Sequence, residues 1–305
     1  MTINKEELLR DITPFVYGTT RMGDDSIPVD ARVKTAVAAM NAGVWFHTSD
    51  QYNTALQTLR IAFEQNKTKI PKLIIKIIAG DMKEFRACIE KNIRPLGVGS
   101  VELGQLCLGG RLAEEFAAGG DCYKEFMKIK EEGLVNRYVM EVFPWTSEVP
   151  YKALQKGYPE GIVDGYIFYL NPLQRFADNK LWDLICKKNE PVIAMRTVSG
   201  GNVHRLRDVP GAAWKDYLQK RAAEVAPVFE RSGIKSWTEF CMRFAHSFRQ
   251  VRSTVGSTAR LENLQEFLKA KDNIAPLPDD ITGEIIKLQY RWSDETDIHA
   301  EPWSM

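Results

Sequence analysis

Eight times along this chain a short, β-rich run gives way to a segment with helical spacing, and that alternation restricts the fold more than any other feature. The runs are "FVYGT", "VWFHT", "KLIIKII", "VELGQLCL", "NRYVMEVF", "VDGYIFYL", "PVIAM" and "RSTVGS". Several are almost continuously apolar, as strands of a parallel sheet are when helices cover it. A length of 305 residues suits one barrel of about 250 residues plus extensions. The pattern predicts one (β/α)8 barrel domain over 1–305, with its core at about 14–272 and a C-terminal extension at 273–305. That extension reads as one further helix and a Trp-containing tail. A doubly wound open sheet is the competing architecture. It lacks its glycine-rich dinucleotide fingerprint here, since Gly18 is followed by Thr19, Thr20, Arg21 and Met22.

Local signals fill in the helices. Asp30 reads as an N-cap, Val33, Val37 and Met40 share one helical face, and Gly43 is a stop. Further helices are expected near 82–94 and 122–132, and within the long stretch 212–247.

Charge and cysteine usage narrow the function classes. Basic and acidic residues number 41 and 40, with no long run of one sign, so a nucleic-acid or anionic-membrane partner is not expected. The N-terminus "MTINKEELLRDI" has no apolar h-region, and no stretch has the length to span a bilayer. Five cysteines, Cys88, Cys107, Cys122, Cys186 and Cys241, form no C-x-x-C pair. These features predict a cytoplasmic protein with reduced thiols. His47, His204, His246 and His299 show no metal-ligand spacing, so no metal site is expected.

In a barrel of this kind the site is built at the carboxyl ends of the strands. Strand one ends in Gly18, Thr19 and Thr20, and strand two in His47, with Asp50 and Tyr52 in the loop beyond. Strand three carries Lys76, strand four Cys107, strand five Glu141, strand seven Met195 and Arg196, and strand eight Gly256 and Ser257. Lys76, inside "LIIKII", is the most informative of these, because a buried ammonium without a partner costs several kcal/mol or loses its proton. Taken singly, each has a structural reading: a snorkelling lysine, a hydrogen-bonded barrel histidine, a loop tyrosine, a small buried thiol.

Together these residues resemble the aldo-keto reductases, (β/α)8 barrels that reduce carbonyls with NAD(P)H through an Asp, Tyr, Lys and His tetrad. The family's second-strand motif, Gly-Val-x-Phe-x-Asp-Thr-Ala-x-x-Tyr-Gly, is similar to "GVWFHTSDQYN", which puts Tyr52 on the tyrosine and His47 on the aspartate. "LIIKI" resembles the lysine strand, with Lys76 as the tetrad lysine. "SVELGQLCL" resembles the histidine strand, with Cys107 in place of the histidine. In "EEGLVNRYVMEVF" Glu141 replaces a serine that helps hold the nicotinamide carboxamide. "VIAMRTVSGG" is similar to a subgroup reading Met-(Lys/Arg)-Pro-Leu-Gly-Gly-Gly, with Arg196 matching and Thr197 for proline. "STVGSTARLENLQEFL" resembles the phosphate-binding end, with Gly256, Ser257 and Arg260 near a phosphate. The loop after Tyr52 departs, reading Asn53-Thr54-Ala55-Leu56 for Gly-x-Ser-Glu.

The resemblance implies a catalytic set of Tyr52, Lys76, His47 and Cys107, and a cofactor set of Gly18, Thr19, Thr20, Glu141, Met195, Arg196, Gly256, Ser257 and Arg260. The cofactor is NADP(H) or NAD(H), and the substrate a small carbonyl, alcohol or sugar. Histidine at 47 removes the lysine's carboxylate, so Lys76 must be balanced by a tyrosinate, by Glu141, by Asp50 displaced three positions, or by deprotonating. Cys107 is a weaker donor than imidazole, and His47 is read as the donor that replaces it. Three functions follow: a nicotinamide-dependent oxidoreductase, a redox-neutral isomerase, epimerase or lyase using His47 and Tyr52, and a catalytically silent binding protein. Oligomeric state is not fixed by the sequence, nor is whether Trp292 and Trp303 cover the site or the barrel wall.

Overall fold

A computed structural model describes residues 4–199 and 215–295. Its strands are β1 (Phe15–Gly18), β2 (Trp45–Thr48), β3 (Leu73–Ala79), β4 (Val101–Leu108), β5 (Val135–Glu141), β6 (Val163–Asn171), β7 (Gln174–Arg175), β8 (Val192–Met195) and β9 (Val251–Ser257). All but β7 are parallel and pair in the ring β5-β4-β3-β2-β1-β9-β8-β6, with β6 returning to β5 to close it. The short β7 is an antiparallel turn-back on the end of β6. The doubly wound alternative is thereby excluded, and the (β/α)8 barrel stands.

Alternation along each strand divides inside from outside. Phe15 and Tyr17 of β1 face outward: Phe15 stacks on Phe267 with centroids 4.9 Å apart, and Tyr17 meets Phe46 edge-on at 5.0 Å. The floor of the barrel is closed from within. Lys72 and Arg137 lie 4.9 and 5.6 Å from the Trp45 ring centroid. Both cations bond Asp11 at 2.8 Å, and Arg137 also meets Glu102 at 2.8 Å. The open end is therefore the carboxyl end.

The helices depart from expectation at definite places. Helix α1 (Val29–Asn41) starts one residue before Asp30, and its N-cap is Pro28, whose fixed φ suits a helix entry. Asp30 sits instead in the first turn, where it complements the helix dipole. After α2 (Ala55–Gln65), α3 (Met82–Leu96) runs two residues past the expected end, capped by Asp81 and stopped at Gly97 with φ 67°. An additional helix, α4 (Gly110–Ala118), precedes α5 (Cys122–Glu131). Its glycine-bounded sequence, "GGRLAEEFAAGG", carries no assignment in the expected pattern, yet Leu112 and Phe116, one turn apart, are both buried.

After α6 (Glu148–Lys156) and α7 (Asn179–Lys188), the long stretch expected at 212–247 contains α8 (Lys215–Arg231) and α9 (Trp237–His246). The break is at Gly233, with φ 69°, followed by the N-cap Ser236. The chain continues through α10 (Leu261–Lys271) and α11 (Asp279–Glu295). Trp292 on α11 packs against α8: its Nε1 donates to Glu224 at 3.2 Å, and Arg221 stacks on its ring at 4.5 Å. Gly200, Gly201, His204, His299 and Trp303 lie outside the described residues. No described helix is long and apolar enough to cross a membrane, and all five cysteines are free thiols.

Candidate active site

Register brings the expected strand-end residues onto the inner face. Lys76 pairs with Gln105, Ile78 with Cys107, and Gln105 with Val139. Glu141 is two residues beyond Val139 and so shares its face, one step nearer the mouth. There the Lys76 Nζ lies 3.3 Å from Glu141 Oε1, with both side chains almost fully buried. Burial by itself would push the Lys76 ammonium down. Glu141, with Cys107, Tyr52 and Tyr169 adding to it, outweighs that and holds Lys76 well above the ordinary lysine range. Lys76 is thus a fixed cation.

Cys107 donates its thiol hydrogen to Glu141 Oε2. Burial, and then the Glu141 charge, push that thiol well above the usual cysteine range, so it remains a donor and not a thiolate. Glu141 Oε1, buried, has no directed hydrogen bond besides its ion pair.

His47 takes a different part from the expected one. Its Nε2 is 2.6 Å from Gln105 Oε1. An amide oxygen only accepts, so this contact assigns the ring hydrogen to Nε2 and the lone pair to Nδ1. Burial, and then the Lys76 charge, push the imidazole down to about 4, although the bond to Gln105 opposes them. His47 is therefore neutral at neutral pH, with its donor committed to Gln105 and not offered to the mouth. The amide nitrogen of Gln105 in turn lies 3.7 Å from Met195 Sδ on β8, across the barrel.

Asp50 does not reach Lys76. Its Oδ1 faces outward to α3, 3.4 Å from Asn92 Nδ2 and 4.0 Å from Cys88 Sγ. The displaced-carboxylate expectation fails because the chain turns as it leaves β2 and sends Asp50 behind the sheet. Tyr52, two residues on, swings back over the mouth and is 7% exposed, with its ring centroid 6.3 Å from that of His47. Burial pushes its phenol up to about 12, against the pull of Lys76 and of the Thr20 hydroxyl alongside.

The tyrosine's loop is held from behind. A Cβ on Gly23 would come within 2.0 Å of the Tyr52 carbonyl oxygen. Arg32 of α1 spans both loops, donating to Met22 O at 2.6 Å and to Thr54 Oγ1 at 2.9 Å, and pairing with Asp25 at 3.0 Å.

Aromatic side chains form the wall beside the mouth. Tyr169 stacks on Phe176 at 4.3 Å and Phe143 on Trp145 at 4.9 Å. The Arg196 guanidinium is 5.3 Å from the Tyr169 centroid. Arg196 holds an unfavourable φ of 47°, and its carbonyl accepts from Asn171 Nδ2 at 3.0 Å.

The remaining cofactor candidates separate by environment. Gly18 and Gly256 are packing positions: a Cβ on Gly18 would lie 3.2 Å from β9, and one on Gly256 would strike Phe267 at 2.4 Å. Thr19 is fully buried, donating to Thr48 Oγ1 at 2.8 Å. Ser257 Oγ accepts from the Arg21 amide at 3.0 Å. Arg260 is exposed at the N-cap of α10, where the first amides of that helix point outward.

Sequence reasoning missed Gln105 and the aromatic wall. Gln105 has a signal, since it lies two residues before Cys107 and must share its face. Phe143, Trp145 and Phe176 sit in turns, where no periodicity places a side chain. Among the described residues no group of His, Cys, Asp or Glu is arranged to hold a metal ion.

The fold has well-matched counterparts. An aldo-keto reductase of Bacillus halodurans in its holo form superposes with a TM-score of 0.69 at 16% identity, over 91% of this chain and 92% of that one. An aldo-keto reductase of Klebsiella pneumoniae in complex with NADPH gives 0.66 at 15% identity, over 92% of each chain. A Klebsiella pneumoniae aldo/keto reductase in complex with NADP and acetate gives 0.64 at 16% identity, again over 92% of each. No protein-family model matches the chain, and no curated protein is similar to it. The barrel is thus the one that aldo-keto reductases use, at sequence distances where fold alone is shared.

Proposed function

We propose that this chain is a divergent aldo-keto reductase that transfers hydride between a nicotinamide dinucleotide and a small carbonyl, alcohol or sugar. The observation that carries the reading is a buried phenol, Tyr52, beside a fixed ammonium, Lys76, at the carboxyl end of a barrel of this fold.

The chemistry each group can do follows from its environment. Tyr52 keeps its proton across the physiological range and so serves as an acid toward a carbonyl oxygen at the mouth. Lys76 stabilises the phenolate left behind, because it stays charged. His47, neutral and bonded to Gln105, holds the inner wall in place and transfers no proton in this scheme. The redox-neutral alternative loses its motive with it, for only one group remains free to move a proton.

The residues present fit a nicotinamide dinucleotide. Arg260 and the start of α10 suit a phosphate. When bound, the nicotinamide supplies the hydride. The neighbours in complex with NADP(H) favour the phosphorylated form. Calorimetric titration of the purified chain with NADPH and with NADH tests the proposal. Binding of NADPH is expected, and binding of neither would overturn the reading.

A further inference from the structure

We infer that Glu141 is a positioning residue that has taken over, from three strands away, the counter-ion task that position 47 has given up, and that through Lys76 it keeps Tyr52 in its proton-carrying form. The inference rests on the reading of Tyr52 as the proton donor.

Charge bookkeeping inside the mouth motivates it. Lys76 is buried and needs an anion. His47 is neutral and bonded to Gln105, and Asp50 is turned to α3. Glu141 supplies the carboxylate at 3.3 Å. Its second oxygen receives the Cys107 thiol, which leaves Oε1 directed at the ammonium. The three positions at which this chain departs from the family's motifs, His47, Cys107 and Glu141, therefore work with Gln105 as one set. His47 and Gln105 satisfy each other as neutral groups, and Cys107 and Glu141 together hold the cation.

The consequence falls on Tyr52. Facing its phenol are the Lys76 ammonium from β3, the Glu141 carboxylate from β5, Tyr169 from β6, the Thr20 hydroxyl from the first loop and the His47 ring from β2. Of these Lys76 draws the phenol toward ionising and Glu141 opposes it, both directly and by neutralising Lys76. Without the carboxylate, the groups left to balance the buried ammonium are the Cys107 thiol and the Tyr52 phenol, and both are drawn toward ionising. The carboxylate thus sets the balance between acid and phenolate, although it sits on a different strand from the residue it replaces.

The test is titration of Tyr52 by carbon NMR of the ring-labelled full chain, with its resonance assigned by Tyr52→Phe. Glu141→Gln is expected to move the phenol's ionisation to lower pH by roughly one unit or more, the usual effect of an opposite charge left uncompensated nearby. His47→Asp combined with Glu141→Gln should return it toward the parent value. An unchanged titration in folded Glu141→Gln, or a lowered one that the second substitution does not return, overturns the proposal. Should Glu141→Gln alone not fold, recovery of the fold by His47→Asp supports the exchange of roles, and no recovery overturns it. The titration needs neither cofactor nor turnover, so its outcome is independent of whether the chain binds a nicotinamide.

Discussion

Two residues, a histidine and a glutamine, show how an ionisable group can be held neutral inside a candidate site. His47 is buried, accepted by an amide oxygen and faced by a cation, and all but the amide favour the neutral ring. Its folded value of about 4 lies below the ordinary 6.5, so the unfolded chain takes up a proton over that window while the native chain does not. Stability is therefore full above about 6.5 and is lost as pH falls toward 4, by on the order of 3 kcal/mol from this one group. Urea unfolding of His47→Gln should show a shallower fall of stability between neutral pH and pH 4 than the parent. Some dependence will persist, because His246 is also pushed down by burial. Equal slopes in the two proteins would exclude this account of His47. Its presence at a strand end was readable in the sequence; its neutrality was not, since that depends on Gln105 and Lys76 arriving from two other strands.

At the scale of the element, the site depends on loops held from behind. Tyr52 is fixed because Gly23 of the preceding loop abuts its carbonyl and Arg32 of α1 ties the two loops together. Gly23→Ala must displace one loop. Once a reactive substrate is in hand, a loss of kcat of a hundredfold or so is expected, the usual cost of about 1 Å of misplacement, with the far-ultraviolet circular dichroism unchanged. Full activity in that variant would show that the tyrosine's position does not depend on the contact. Elements were largely legible from periodicity, with errors where a local signal competes with packing. The helix α4 was hidden by its flanking glycines, and α1 starts on a proline where an aspartate was the more familiar cap. The direction of Asp50 was beyond reach for a related reason. A turn of a few residues has no periodic pattern, and its backbone torsions alone choose between the mouth and α3.

For the whole molecule, closure of the sheet is what turns strand ends into a site. The ring is complete only when β6 pairs with β5, and the floor only when Asp11 near the N-terminus joins Lys72 and Arg137 over Trp45. A dinucleotide that binds this folded mouth and not the unfolded chain raises stability by linkage, about 2.7 kcal/mol at a hundredfold excess over Kd. Thermal unfolding with saturating NADPH should therefore shift upward by several °C. The same shift in Lys76→Met would show that binding does not depend on the charged cluster, whereas loss of the shift would tie the two together.

The sequence by itself determined the barrel, because the alternation of buried strands and amphipathic helices has one economical closed solution. It also determined which residues stand at the strand ends, because position along a strand and the two-residue alternation fix height and face. Partnership was decided only by the tertiary structure. Whether Lys76 meets Asp50 or Glu141 depends on the stagger between β3 and β5 and on the path of a turn, and neither is written in the local pattern. The histidine at 47 is a neutral member of the wall because burial and the Lys76 ammonium, from another strand, disfavour a second proton on its ring.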